Sequence, residues 1–167
     1  MGGGFFNMIF VTLGTQDKSF KRLLAEIDTL IEKNIITDKV IVQAGFTNYC
    51  SKNMKVFDYI SMEEFNQYIQ HCHLLITHGG VGSILTGCLA NKKVLAVARL
   101  SKYDEHENNH QLQIVEEFAK QGYIIGCSDV SELEYSFQNL KSFSPKKYKS
   151  NNHNFCNIIT DFIDTLN

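Results

Sequence analysis

The sequence predicts an α/β domain, a Rossmann-like parallel sheet with helices on both faces, and three observations predict it. Short, apolar, β-branched runs such as Met8 to Leu13 and His73 to Thr77 recur along the chain and are too brief for helices. Between them, apolar residues repeat at helical spacing. The links are short, and strands alternating with helices over short links give a parallel sheet covered on both sides.

Residues 1–7 (M-G-G-G-F-F-N) read as an extended start or an appended remnant, and residues 8–167 as a single domain. The first strand, Met8 to Leu13, stops at Gly14. From Lys18 to Glu32, Phe20, Leu23, Leu24, Ile27, Leu30 and Ile31 fall on one face of a helix. Lys39 to Gln43 and Lys55 to Ile60 are the next strands. Ser61 with Glu64 three residues on forms a capping box, opening a helix striped by Met62, Phe65, Ile69 and Cys72. The buried-strand run His73 to Thr77 is broken by His78-Gly79-Gly80, and Ser83 to Ala90 then reads as helix. Val94 to Ala98 is a strand, Asn108 to Gln121 a helix with Leu112, Val115, Phe118 and Ala119 on one face, and Gly122 its stop. Tyr123 to Gly126 is a last strand. Helices from Val130 to Leu140 and Asn152 to Leu166 close the chain, separated by a linker holding the sole proline, Pro145, and Lys146, Lys147 and Lys149.

Composition narrows the function. Apolar residues at 44% and charged residues at 20% are ordinary globular usage. A net charge of −2 lacks the basic surplus of a chain that neutralises many phosphates, so no nucleic-acid partner is expected. The five cysteines (Cys50, Cys72, Cys88, Cys127, Cys156) contain no C-x-x-C pair and read as reduced thiols of a cytoplasmic protein. The apolar runs are shorter than a membrane span, so contact with a membrane is expected through a surface or a partner.

In a parallel sheet the ligand crevice lies beyond the carboxyl ends of the strands. Four loops qualify: Gly14 to Lys18, Tyr59 to Ser61, Thr77 to Ser83 and Arg99 to Gln111. Gly14-Thr15-Gln16, between strand and helix, offers free amides and a helix N-terminus to an anion, or is simply a capping turn. Thr77-His78-Gly79-Gly80-Val81-Gly82-Ser83 bares its backbone with three glycines in four residues, which suits close approach of a phosphate or sugar as well as tight packing. Lys102 to Gln111 concentrates His, Asn and Gln, as recognition of a hydroxyl-rich ligand requires. It also contains His106-Glu107-x-x-His110, the zinc-protease pattern, though Asn108 and Asn109 are poor helix formers and the helix should only be starting there. A zinc hydrolase is therefore the outlying reading.

The segments I-F-V-T-L-G-T-Q, I-T-H-G-G-V-G-S-I-L and E-H-x-N-N-H-Q resemble the C-terminal domain of family 28 glycosyltransferases, including short capsule and exopolysaccharide subunits of the PssE type. The eukaryotic catalytic subunit of the dolichol-linked GlcNAc transferase is similar. The resemblance implies the donor-binding half of a GT-B enzyme, completed by a membrane-anchored, acceptor-binding partner at the inner face of the membrane. It implies a UDP-sugar (galactose, glucose or GlcNAc) as donor and a lipid-linked acceptor, with inversion and with no metal or other cofactor. Gly14 and Thr15 would lie near the diphosphate, and Tyr59, Ile60 and Ser61 near the uracil. His78, Gly79, Gly80, Val81, Gly82 and Ser83 would wrap phosphates and ribose, while Asn109, His110 and Gln111 would contact the donor sugar. Thr86 stands where many relatives carry a ribose-binding Glu. Candidate bases are His78, Glu105 and His106, or a group of the partner. The alternative is a non-catalytic, UDP-sugar-binding or enhancer subunit of the same fold.

Overall fold

The computed structural model describes residues 7–149. Its single sheet has six parallel strands in the order β3-β2-β1-β4-β5-β6. The strands are β1 (Met8–Thr12), β2 (Lys39–Gln43), β3 (Lys55–Phe57), β4 (Leu74–His78), β5 (Lys93–Val97) and β6 (Ile125–Cys127). The helices are α1 (Lys21–Glu32), α2 (Met62–His71), α3 (Val81–Leu89), α4 (His110–Lys120) and α5 (Leu133–Gln138). The expected helix from Asn152 to Leu166, with its apolar face, lies outside the described residues.

Alternation along the strands splits the core into two layers. Ile9, Val11, Val40, Val42, Ile76 and Leu95 pack with Leu23, Leu24, Ile27 and Leu30 of α1 and Leu133 of α5. The neighbouring strand positions, Phe10, Ile41, Leu75, Val94 and Ala96, point the other way onto Ile69 of α2, Ile84 and Cys88 of α3, and Val115 and Phe118 of α4. Every residue of β1 and β4 is buried because both faces are covered, which is why these strands read as continuous apolar runs.

The strand order reverses between β1 and β4: β1 leads leftward to β2 and β3, whereas β4 leads to β5 and β6. Loops leaving β1 and β4 at their carboxyl ends therefore diverge to opposite sides and open a crevice between them. Gly14 follows β1 and Gly79-Gly80 follows β4, so the fold itself brings the two glycine turns together.

Several boundaries differ from the sequence expectation. Helix α1 starts at Lys21 rather than Lys18, because Phe20 has a non-helical backbone (φ −127°, ψ 46°) and donates its N–H to Thr47 Oγ1 at 3.0 Å. Gly14-Thr15-Gln16 is consequently a loop and not the N-terminus of a helix. Strand β3 ends at Phe57, leaving Tyr59 and Ile60 in a loop. Helix α3 starts at Val81 with Gly80 as its N-cap, so the glycine turn runs straight into it. Met62, expected in an apolar stripe, is 74% exposed. The helix expected from Val130 to Leu140 is divided into 3-10 turns at Val130–Glu132 and Asn139–Lys141 around a short α5.

Candidate functional site

At the switch point lies an open cleft of about 680 Å³, within the range of small-ligand sites. Of the residues singled out by sequence, it is lined by Gly14, Thr15, Tyr59, Ile60, His78, Gly80, Gly82, Ser83, Thr86, His106 and Gln111. Ser61, Gly79, Val81, Glu105, Asn109 and His110 are not among its lining. The N-terminus of α3 borders this cleft, and its first-turn amides at Val81, Gly82 and Ser83 have no intrahelical acceptor and are available to an anion.

His78 is the hub. Its imidazole is gripped between the two glycine turns: a Cβ on Gly14 would stand 2.3 Å from Nε2 and one on Gly80 2.2 Å from Cε1. Gly80 N–H donates to His78 Nδ1 at 3.0 Å. Gln111 Oε1 accepts from Gly79 N–H at 3.0 Å and Arg99 N–H at 3.2 Å, which orients the amide so that Nε2 faces His78 Nδ1 at 3.3 Å. Nδ1 thus meets donors only, so the neutral ring carries its proton on Nε2, 3.4 Å from Ser83 Oγ. Burial, reinforced by the Arg99 charge, pushes the His78 pKa down to about 4. At neutral pH His78 is an uncharged N–H donor, and its basic nitrogen is already engaged.

Glu105 is a clamp rather than a base. Its side chain is buried; Arg22 binds both oxygens, Nε to Oε1 at 2.7 Å and Nη2 to Oε2 at 3.0 Å, and Leu100 N–H donates to Oε2 at 3.1 Å. Beside it Arg99, 1% exposed, donates to the carbonyls of Lys18 (2.7 Å), Leu13 (2.8 Å) and Glu105 (3.3 Å). One guanidinium therefore pins the loop after β1 to the loop after β5. Burial lowers the Arg99 pKa to about 10, which leaves it charged.

The Lys102–Gln111 segment divides. His106 faces the cleft, its Nδ1 accepting from Asn108 N–H at 3.3 Å, and burial lowers its pKa. Asn109 turns away, its Oδ1 accepting from Ser101 N–H and Oγ–H, both at 3.0 Å. Because α4 begins at His110, His106 precedes the helix and Glu107 pairs with Lys18 at 3.1 Å. Two histidines one turn apart on a helix, the geometry a zinc protease needs, are not formed, and no group of three metal-ligating side chains occurs among the described residues. Ser61 is engaged in the capping box, accepting from Glu64 N–H at 3.2 Å while Glu64 Oε2 accepts from Ser61 N–H at 3.0 Å.

Sequence reading named Gln16 only as part of the Gly14-Thr15-Gln16 turn, and missed Thr12, Gln43, Met62 and Phe65, which also line the cleft, and Arg99, which organises it. Thr12 and Gln43 carried a local signal, each a polar residue ending an apolar strand.

Residues 8–166 match the family described as Glycosyltransferase family 28 C-terminal domain. The chain is 30% identical over 95 residues to the UDP-N-acetylglucosamine transferase subunit ALG13 of Candida albicans, a match covering 57% of this chain and 31% of that protein. The matched region thus spans about a third of the curated relative's length. Among solved structures, the NMR structure of ALG13 aligns over 89% of this chain and 92% of its own, with a TM-score of 0.61 and 22% identity. MurG of Acinetobacter baumannii aligns over 82% of this chain and 40% of its own, with a TM-score of 0.55 and 14% identity. SnogD, a glycosyltransferase of Streptomyces nogalater, aligns over 83% and 40%, with a TM-score of 0.54 and 16% identity. These likenesses show the fold, the Rossmann-like C-terminal domain of GT-B glycosyltransferases.

Proposed function

The chain belongs to the glycosyltransferase family 28 C-terminal domain family, and from that premise we propose that it is the donor-binding subunit of an inverting, UDP-sugar-dependent hexosyltransferase acting in surface-polysaccharide synthesis. The observation that carries this reading is the convergence of the Gly14 and Gly80 turns on the His78 imidazole, beneath a cleft at the switch point of the sheet.

In the transfer the acceptor oxygen attacks the anomeric carbon, its proton passes to a base, and the bond from that carbon to the β-phosphate oxygen breaks, so that negative charge collects on the departing diphosphate. His78 Nε2–H, the first-turn amides of α3 and the bared backbone after β1 are the donors proposed to take up that charge. No resident metal or other cofactor is needed in this scheme. Within this chain the candidate bases are engaged: His78 by Gly80 N–H, His106 by Asn108 N–H, and Glu105 by Arg22 and Leu100. The base is accordingly assigned to a membrane-anchored partner that also holds the lipid-linked acceptor. No helix among the described residues is long and apolar enough to cross a membrane, and the subunit is placed at the cytoplasmic face through that partner.

The same engaged bases favour, as the second reading, a non-catalytic UDP-sugar-binding subunit. Calorimetry with UDP tests what the two share: wild type binds and Gly80→Leu, whose side chain displaces His78, does not. Retained affinity in a folded Gly80→Leu variant counts against the assignment. A transfer assay with the partner present separates the readings: a His78→Phe variant that still binds UDP loses turnover if this chain stabilises the leaving group and keeps it if the chain only binds.

A further inference from the structure

Several polar side chains on the cleft wall are engaged within the protein: the Gln111 amide faces Gly79, Arg99 and His78, and the Thr86 hydroxyl donates to Gly82 O at 2.8 Å. Gln43 and Thr12 are not. Gln43 is 8% exposed and Thr12 2%, both line the cleft, and among the described residues neither the amide nor the hydroxyl has a hydrogen-bond partner. Their main chains are tied in, with Leu13 N–H donating to Gln43 O and the Thr77 hydroxyl to Thr12 O, both at 3.1 Å. Only the side chains are left over.

The two are register partners on β1 and β2. Alternation along the strands puts both side chains on the face of Phe10 and Ile41, the face that α2 and α3 cover, so they form one polar floor. The cleft wall beside it is apolar, from Ile60, Met62 and Phe65. A buried amide without a partner is unfavourable, and native interiors hold few of them. Packing alone would be served better by an apolar side chain, as Val40, Ile41 and Val42 serve it earlier in the same strand.

A ligand edge with a hydrogen-bond donor beside an acceptor completes this floor, and apolar walls suit a planar ring. The donors proposed for the diphosphate lie elsewhere. His78 ends β4 and α3 follows it, two strands from β2 and therefore about 10 Å away at the usual strand spacing, a gap that a ribose bridges.

We propose that Gln43, with Thr12 beside it, reads the hydrogen-bonding edge of a nucleobase. The inference rests on the nucleotide-binding reading above and deepens it by assigning the side chains that recognise the base.

The test is Gln43→Met in the full chain, which keeps the length of the side chain and removes the amide. Calorimetric titration is expected to show UDP and UDP-glucose weakened by the same factor, about tenfold or more, because the base they share is left unpaired. The urea denaturation midpoint of the free variant is expected to rise, since an unpartnered buried amide has been replaced by an apolar group. Thr12→Val should weaken both nucleotides by about threefold or more, and no change there overturns the assignment of the pair. UDP affinity unchanged in Gln43→Met overturns the inference and leaves the proposed function standing. A loss confined to UDP-glucose would place the amide against the sugar, and a lowered midpoint would give it a role in the fold; either overturns the inference. Failure of the wild type to bind UDP overturns the nucleotide reading and this inference with it.

Discussion

A Cβ on Gly14 and the Nε2 of His78 cannot coexist: they would be 2.3 Å apart. The loop after β1 therefore sits against the imidazole that ends β4 only because Gly14 has no side chain. Gly14 also holds φ at +73°, in the left-handed region.

Gly14→Ala meets both constraints. The backbone alone costs about 1–2 kcal/mol in that region, and the methyl group pushes His78 or the loop aside. Urea denaturation should show a loss of at least that size, and UDP affinity should fall more than about tenfold. Gly82 is the internal contrast, since a Cβ there meets nothing within 4 Å and the residue is helical. Gly82→Ala should leave stability unchanged or raise it by up to ~1 kcal/mol.

His78 makes the fold sensitive to mild acid. Its pKa is about 4 in the folded chain, against 6.5 for a free histidine, so between those values the unfolded chain binds more protons. The stability tied to the neutral ring is complete above pH 6.5, declines as pH falls toward 4, and amounts to ~3 kcal/mol at most. The groups facing the ring are Arg99, His106, Gln111 and Ser83. Denaturation midpoints taken from pH 7 to 4 should drop with uptake of close to one proton on unfolding, and His78→Asn should flatten that drop. An equal slope in the variant would assign the acid sensitivity elsewhere.

Local pattern and tertiary partnership divide what the sequence made legible. Strands β1, β2, β4 and β5 were legible because burial on both faces leaves a continuous apolar run, and the Gly79-Gly80 turn because glycines mark where backbone is bared. The fold class and most of the cleft followed from these. Residues whose roles depend on distant partners were opaque. Helix α1 starts late because Phe20 N–H finds Thr47, 27 positions on, and Glu105 looked like a base because its partner Arg22 lies 83 positions upstream. Ser61 is a different case: its capping box was legible, Ser61 was also expected near the uracil, and in the structure its hydroxyl both accepts from and donates to Glu64.

Glu105→Gln separates clamp from base. The amide retains shape but gives up the bidentate charge pair with Arg22, leaving a guanidinium only partly reached by solvent. Breaking a buried pair costs about 3–5 kcal/mol; because Arg22 also contacts Asp129 at 3.3 Å, the lower end is expected. Thermal or chemical denaturation should register ~3 kcal/mol. With the partner present, the transfer rate should keep its pH profile, whereas loss of a titrating limb in a folded variant would restore Glu105 as the base.

Ser61→Ala asks whether the loop after β3 binds through its side chains or only shapes the cleft. In the structure Ser61 Oγ satisfies Glu64 N–H at the start of α2 and is itself 2.9 Å from Glu64 Oε2. Removing it leaves that first-turn amide to water, which costs ~1 kcal/mol as for other serine caps. Tyr59 and Ile60, the two residues before it, are the ones that border the cleft. UDP affinity should therefore change less than about twofold in Ser61→Ala while stability falls by about 1 kcal/mol. The opposite pattern, affinity lost with stability intact, would mean that the hydroxyl leaves the cap for the nucleotide and that the loop rearranges on binding.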